Sequence, residues 1–405
     1  MSVRVNAMKG SNFLGYAMVL AVLPCTALAA EQSADTGKLL VNARWRLESV
    51  DDDAFAEDAS ANTLRLRLGY QTAAYKGFSG LLEAEGTTYL FNDQFNSTAN
   101  GNIQYPVVAD PNAYEINRAI LTYAPTKSAK FNLGRQTVII DNQRFFGNVA
   151  WRQNEQTFDA IDLNYAFDNK LVLRYDYSNR VQRVFGTQNP RQDLERWDVN
   201  LNLFHASYPV GPGTVIGYVY LNENNTLPLT SQKNFGMRYT ASKANPDGLG
   251  WLATAEYAYQ DSYADGADFI NADYLFLEGA LVWKGNTFKA GWEQLGGDGQ
   301  YGFQTPYATL HAFNGWADRF LVTPRDGLQD TYLGWNRKFG KLGVTLVWHD
   351  FNADAGKSDY GKEWDASLSW ALDKQWTILG KLADYQADEY LTDTTKLWFS
   401  VEYAY

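Results

Sequence analysis

Apolar and polar side chains alternate with a period of two along most of the chain. In KLWFSVEYAY, Leu397, Phe399, Val401, Tyr403 and Tyr405 are interleaved with Lys396, Trp398, Ser400, Glu402 and Ala404. The same rhythm runs through Val41–Leu47, Leu64–Tyr70, Ile161–Phe167, Leu171–Tyr177, Trp197–Leu203, Trp251–Tyr257, Leu342–Trp348 and Trp364–Trp370. A period of two predicts extended strands, each with one apolar and one wet face. Helical periodicity is weak throughout, and the stretch His311–Phe320 is where helical turns are expected.

The spacers between these runs alternate in length. Asp168–Lys170, Lys284–Asn286, Lys338–Lys341 and Asp373–Gln375 are short and turn-like, whereas Phe91–Asn112, Thr137–Thr157, Asn222–Lys233, Gly296–Gly327 and Phe351–Glu363 are long and polar. Tight turns on one side and long loops on the other are the pattern of a transmembrane β-barrel. The predicted fold is all-β: an antiparallel up-and-down barrel of about 18 strands, with short periplasmic turns and long extracellular loops. A sheet that crosses lipid must close on itself, because hydrocarbon satisfies no edge. The run ending at Tyr405 is therefore expected to pair with Leu39–Ser49. A large soluble β-protein is the alternative, since soluble sheets also alternate.

Composition agrees with the barrel. There are 13 Trp, 26 Tyr and 22 Phe among 405 residues, more aromatic surface than a soluble core needs, and Trp and Tyr settle at the two membrane interfaces. At the N-terminus, Arg4 and Lys9 precede an apolar run, Phe13–Pro24, and a small-residue site at Ala27–Ala29. This reads as a secretory signal peptide over 1–29, cleaved after Ala29 or Ala30, leaving a barrel over 30–405 in the outer membrane. Cys25 falls inside that segment, so the mature chain has no disulfide or thiol chemistry. The net charge of −11 makes nucleic acid an unsuitable partner.

Strand parity assigns the lumen. Arg44, Arg46, Arg65, Arg67, Arg174, Arg180 and Arg238 take the wet parity, with Glu83, Glu85, Asp162, Asp176, Glu256, Glu278 and Glu293; Arg118 joins them with less definite parity. A lumen of this size holds water, so charges are tolerated there. The adjacent arginines at 44, 46, 65 and 67 need carboxylates or an anionic solute between them, and guanidinium forks bind carboxylates in a bidentate manner. Glu83 and Glu85 are the candidate counter-charges. An arginine-lined zone selective for anions is the functional expectation.

Two long segments, Gly134–Ala160 and Thr305–Asp330, are dense in Gly, Arg and aromatics. Long ordered loops of this kind are usually functional, and these are long enough to fold into the mouth or lumen. Through GRQ at Gly134–Gln136, NQRFFGNVAWRQN at Asn142–Asn154 and LHAFNGWADRFLVTP at Leu310–Pro324, the chain resembles the alginate export family of outer-membrane barrels. The resemblance implies an eighteen-stranded channel with an arginine-rich conduit for a uronate polysaccharide. It implies that Arg135, Arg144, Trp151, Arg152, His311, Trp316, Asp318 and Arg319 belong to the characteristic constriction loops.

Other chemistry is weakly signalled. His205, His311 and His349 lack ligand spacing, and parity puts His205 on the lipid side. DSYADG at Asp261–Gly266 fails as a calcium loop, having Tyr263 and Ala272 at ligand positions. GGDGQYG at Gly296–Gly302 lacks a phosphate loop's lysine. No cofactor or metal is expected. The partners expected are an anionic polysaccharide or oligosaccharide, outer-membrane lipid and lipopolysaccharide, and barrel-assembly machinery that reads the strand ending at Tyr405. A general small-molecule uptake porin and an outer-membrane hydrolase are the alternative functions.

Overall fold

The structure is a computed structural model that describes residues 36–245 and 248–405; the predicted signal peptide and its cleavage site lie outside the described residues. Eighteen strands follow one another: β1 (Lys38–Asp52), β2 (Ala59–Gln71), β3 (Phe78–Tyr89), β4 (Ala113–Thr126), β5 (Ala129–Gln136), β6 (Thr157–Ala166), β7 (Val172–Gln182), β8 (Arg196–Val210) and β9 (Gly213–Asn224). The second half comprises β10 (Gln232–Lys243), β11 (Gly250–Ser262), β12 (Asn271–Trp283), β13 (Asn286–Leu295), β14 (Leu328–Phe339), β15 (Leu342–Asn352), β16 (Asp359–Ala371), β17 (Trp376–Ala387) and β18 (Thr394–Ala404). Each pairs antiparallel with its sequence neighbours, and β1 pairs with β18, so the sheet closes. The expected partner for the last strand is thus the observed one, in register from Asn42↔Ala404 to Asp52↔Thr394. Turns as short as two residues, as at Lys284–Gly285, lie at one end of the barrel. The long connections lie at the other, with a 3₁₀ turn at Leu310–Ala312 inside the longest.

The outer face carries the apolar parity. Leu66, Leu68, Leu277, Leu333, Trp364, Leu368 and Leu397 are all exposed. A closed sheet clad in side chains of this kind has to sit in hydrocarbon, where every backbone group is satisfied within the ladder. The chain is an integral barrel of the outer-membrane type.

Two features overturn the simple parity count. On β8 the apolar parity points inward: Val199, Leu201 and Leu203 are buried in the interior with Phe158 and Tyr220. Their outward neighbours are Phe204 and Tyr208. His205 is consequently a lumen residue, opposite Arg174 and Tyr218 across the two ladders, and not lipid-facing as parity suggested. On β7 the register slips between Ser178 and Arg180. The bulge leaves one residue unpaired and re-aims those beyond it. Val181 becomes fully buried opposite Phe158, while Arg180 leaves the lumen wall for the outer rim and pairs with Asp198 at 3.0 Å.

A two-loop constriction in the lumen

The 137–156 and 296–327 connections fold into the barrel and dock on each other. Phe146 and Tyr307 form a parallel bridge with stacked rings. Gly147 N–H donates to Tyr307 O at 2.9 Å, and Thr309 Oγ1 donates to Gln143 at 2.7 Å. Arg144 Nη2 reaches Asn314 at 3.0 Å. The joined loops cross the lumen. On one side Arg44 of β1 donates to Gln153 and to the carbonyls of Ala150, Trp151 and Arg152. On the far side Phe145 sits 5.2 Å from Tyr218 of β9 and 5.8 Å from Tyr274 of β12. Aromatic burial of this order contributes about 2–3 kcal/mol per ring, so the crossbar has its own apolar core inside a polar-lined barrel.

Most of the arginines assigned to the lumen by sequence have partners there. Arg46 pairs with Asp110, a carboxylate from the 90–112 connection. Arg65 donates to Asn42 at 2.5 Å and Glu402 at 3.1 Å. Arg67 pairs with Glu85 and lies 3.4 Å from Glu155 of the crossbar. Arg118 forms a two-point pair with Glu83, at 2.9 and 2.7 Å. Arg174 is held by Asp176 and Asp162, and Arg238 by Glu256. Of the two expected counter-charges, Glu85 pairs with Arg67, whereas Glu83 is taken by Arg118, and Arg46 and Arg65 use Asp110 and Glu402 instead. The 90–112 connection supplies Asp110, which sequence parity had no means of placing.

The loop residues do not all converge. Arg135 stands on β5, in the outward parity of Phe131 and Leu133, and is bound to Asp159 at 2.7 Å; it is not part of the constriction. Arg144 and Arg319 anchor the same loops elsewhere on the wall; Trp151, Arg152, Trp316 and Asp318 gather around His311. Its ring stacks on Trp151 at 4.3 Å, its Nδ1 contacts Asp318 at 2.7 Å and its Nε2 contacts Lys381 of β17 at 2.5 Å. Asp318 also binds Arg152 and Lys396, each at 3.1 Å. An ammonium donor on Nε2 leaves the proton on Nδ1, which fixes the neutral tautomer. Burial drives the imidazole pKa down to about 3 against the opposing pull of Asp318. Burial alone would raise the Asp318 carboxyl, but His311, Lys396 and Arg152 hold it well below the usual carboxylate range.

The turn Asn314–Asp318 grips the opposite wall. Asn314, Gly315 and Asp318 have positive φ, and the loop presents backbone donors to β16: Trp316 N–H to Asp365 at 3.2 Å and Ala317 N–H to Glu363 at 2.7 Å. Arg319 ties the loop to the β1 rim through Asp52 at 2.6 Å. Arg144 pairs with Glu293 of β13 at 2.8 Å. Lys381, Lys396, Glu363 and Asp365 were missed by sequence reasoning; their inward parity was legible, but nothing local showed that the loop would reach them.

Beside the crossbar, on the turn side, lies a cavity of about 270 Å³ with a mixed lining, in which Leu81 and Ile120 accompany Gln71, Ser79, Lys130 and Asn132. Each imidazole is committed to a carboxylate: His205 to Asp141, His311 to Asp318, His349 to Asp330. Among the described residues, no serine is hydrogen-bonded to any of these imidazoles.

No family model and no curated protein matches the sequence. Solved structures do match the fold. OccAB4 of Acinetobacter baumannii superposes with a TM-score of 0.71 at 14% identity, covering 92% of this chain and 99% of that one. The outer membrane protein opdK from Pseudomonas aeruginosa gives 0.70 at 12%, covering 92% and 99%. OccD3 (OpdP) of Pseudomonas aeruginosa gives 0.69 at 12%, covering 92% of each. At such identities the likeness is one of fold: an outer-membrane barrel spanning nearly the whole chain.

Proposed function

We propose that the chain is a passive outer-membrane channel for small anionic solutes, with uronate-type sugars and oligosaccharides as the preferred cargo class. The observation that carries this reading is the arginine wall on β1–β4. Arg65 Nε and Arg67 Nη2 are buried without a protein acceptor, so the wall keeps cationic donor capacity that its own carboxylates leave unused, and a passing anion feels that charge through the field of the wall rather than by direct contact. The filled lumen favours monomers and short oligomers over a thick polysaccharide strand. Charged groups lining a narrow conduit set selectivity by the same electrostatics that set pairing. Planar-bilayer recordings test it: the purified protein passes anions preferentially, and Arg65→Ser with Arg67→Ser lowers the anion-to-cation permeability ratio several-fold. Equal permeability of the unaltered protein to both ions overturns it.

A second reading, a general uptake porin of little selectivity, is favoured by the carboxylates themselves. Arg67, Arg118, Arg174 and Arg238 each have an acidic partner, which offsets much of the field. The same recordings separate the two.

A further inference from the structure

The crossbar meets β17 at a single ammonium. The Nζ of Lys381 lies 3.6 Å from the ring centre of Trp316, 4.3 Å from Trp151 and 5.4 Å from Trp398. One tryptophan comes from each lumen loop and the third from β18. The fourth contact is the lone pair of His311 Nε2 at 2.5 Å. Among the described residues no carboxylate lies within ion-pair distance of this ammonium, although Asp318, Glu363 and Asp365 are close by, and each accepts bonds elsewhere. A buried cation held by π faces and an imidazole is unusual in a wall where the other lumen cations described above, Arg44 excepted, pair with acids.

We propose that Lys381 is the positioning residue of the constriction: its ammonium fills a three-tryptophan cage built jointly by both loops and pins them across the lumen. The geometry explains the choice of lysine. Aromatic faces attract a cation most strongly where water is excluded, and Lys381 is 7% exposed. Neither loop closes the cage alone, because Trp151 and Trp316 belong to different connections. Withdrawal of the ammonium thus loosens both at once, while Arg44, Asp365 and Glu363 still tether them to the wall. A carboxylate partner would have held the lysine to one loop only. His311 orients the cage, since its ring stacks on Trp151 while its nitrogen accepts from the ammonium.

The inference rests on the channel reading only for its conductance arm. Lys381→Ala empties the cage, and Lys381→Met keeps its volume without charge. In detergent-solubilised protein of unchanged heat-modifiable migration, both substitutions are expected to speed proteolysis within 137–156 and 296–327 by about fivefold or more, the signature of a more populated open form. Added methylammonium restores resistance to Lys381→Ala, whose cage is empty, and not to Lys381→Met. In bilayers the two variants show raised open-channel noise. Loops as resistant as in the unaltered protein, or Lys381→Met behaving as lysine does, overturn the pin. If the unaltered protein conducts nothing while the proteolysis and rescue results hold, the channel reading fails and the pin stands.

Discussion

Arg44 and Arg65 face each other directly across the β1–β2 ladder, yet their guanidinium groups are directed apart. Arg44 turns up into the crossbar and Arg65 turns down to Glu402 and Asn42. Like charges in opposed positions repel, and the repulsion is relieved by giving each an acceptor in a different layer. The arginine patch therefore does two jobs: its upper members hold the constriction, and its lower members, Arg65 and Arg67, are packed against Glu402, Asn42 and Glu85 of the wall.

Arg44→Ala separates these roles. It strips donors from the carbonyls of Ala150 and Arg152 and from Gln153, while the Trp151 carbonyl keeps Arg46 as donor. Buried acceptors left without donors cost about 1–3 kcal/mol each, with water recovering part of it. Urea unfolding in lipid vesicles is expected to show a loss of about 2–4 kcal/mol, with ion preference little changed. A collapse of anion preference without loss of stability reverses the assignment.

Acid tests the His311 centre. The imidazole refuses a proton in the folded chain down to about pH 3, whereas its ordinary value is 6.5. The unfolded chain takes that proton first. This contribution is whole above pH 6.5 and is lost progressively as pH falls towards 3, at up to about 1.4 kcal/mol per pH unit. Asp318, whose pKa is also depressed, adds a loss in the same direction below its ordinary 3.8. Unfolding of His311→Asn measured between pH 6.5 and 4 should show a shallower pH dependence than the unaltered protein. Equal slopes would falsify the neutral, buried assignment.

Gly315 is the tightest point of the loop-to-wall grip. Its φ is +83° and a Cβ there would collide with the Glu363 carboxylate. Gly315→Ala has both a conformational and a steric cost, together about 1–3 kcal/mol. Because the damage is confined to the grip, the expected readout is a barrel that still resists unfolding in detergent but shows larger and less steady conductance steps.

The outer face makes a cruder prediction. Leu277→Arg places a cation in the apolar band of β12 and is expected to cost about 2–4 kcal/mol of folding into bilayers. Asn164→Arg, on the lumen parity of β6, is expected to cost little. Comparable losses at the two sites, measured by urea titration in vesicles, contradict the lipid-facing assignment.

The barrel was legible because its two periodicities are local. A run such as Leu64–Tyr70 shows its lipid face within seven residues, and the spacer lengths show which end is which. The errors arose where a distant element changed what a face touches. Leu201 and Leu203 look lipid-facing because apolar residues on a barrel strand usually are, but the crossbar provides a second apolar environment within the lumen. Arg180 followed the count until a one-residue bulge reset it, and Arg135 lay just before the loop to which its motif assigned it. The constriction was half legible. Trp151, Arg152, His311, Trp316 and Asp318 do converge, but Lys381, which they surround, lies 63 residues or more further along and carried no local mark.

A hollow cylinder of eighteen strands is soft to squashing: its wall can flatten into an ellipse with little change in any one hydrogen bond. The crossbar runs from β1 to β9 and β12, across the full width of the ring, and so braces it like a strut. Membrane thickness, lateral pressure or crowding by neighbouring proteins would then deform the rim more than the waist. The cross-section available to a passing solute becomes a property of the folded chain, largely independent of the bilayer that surrounds it.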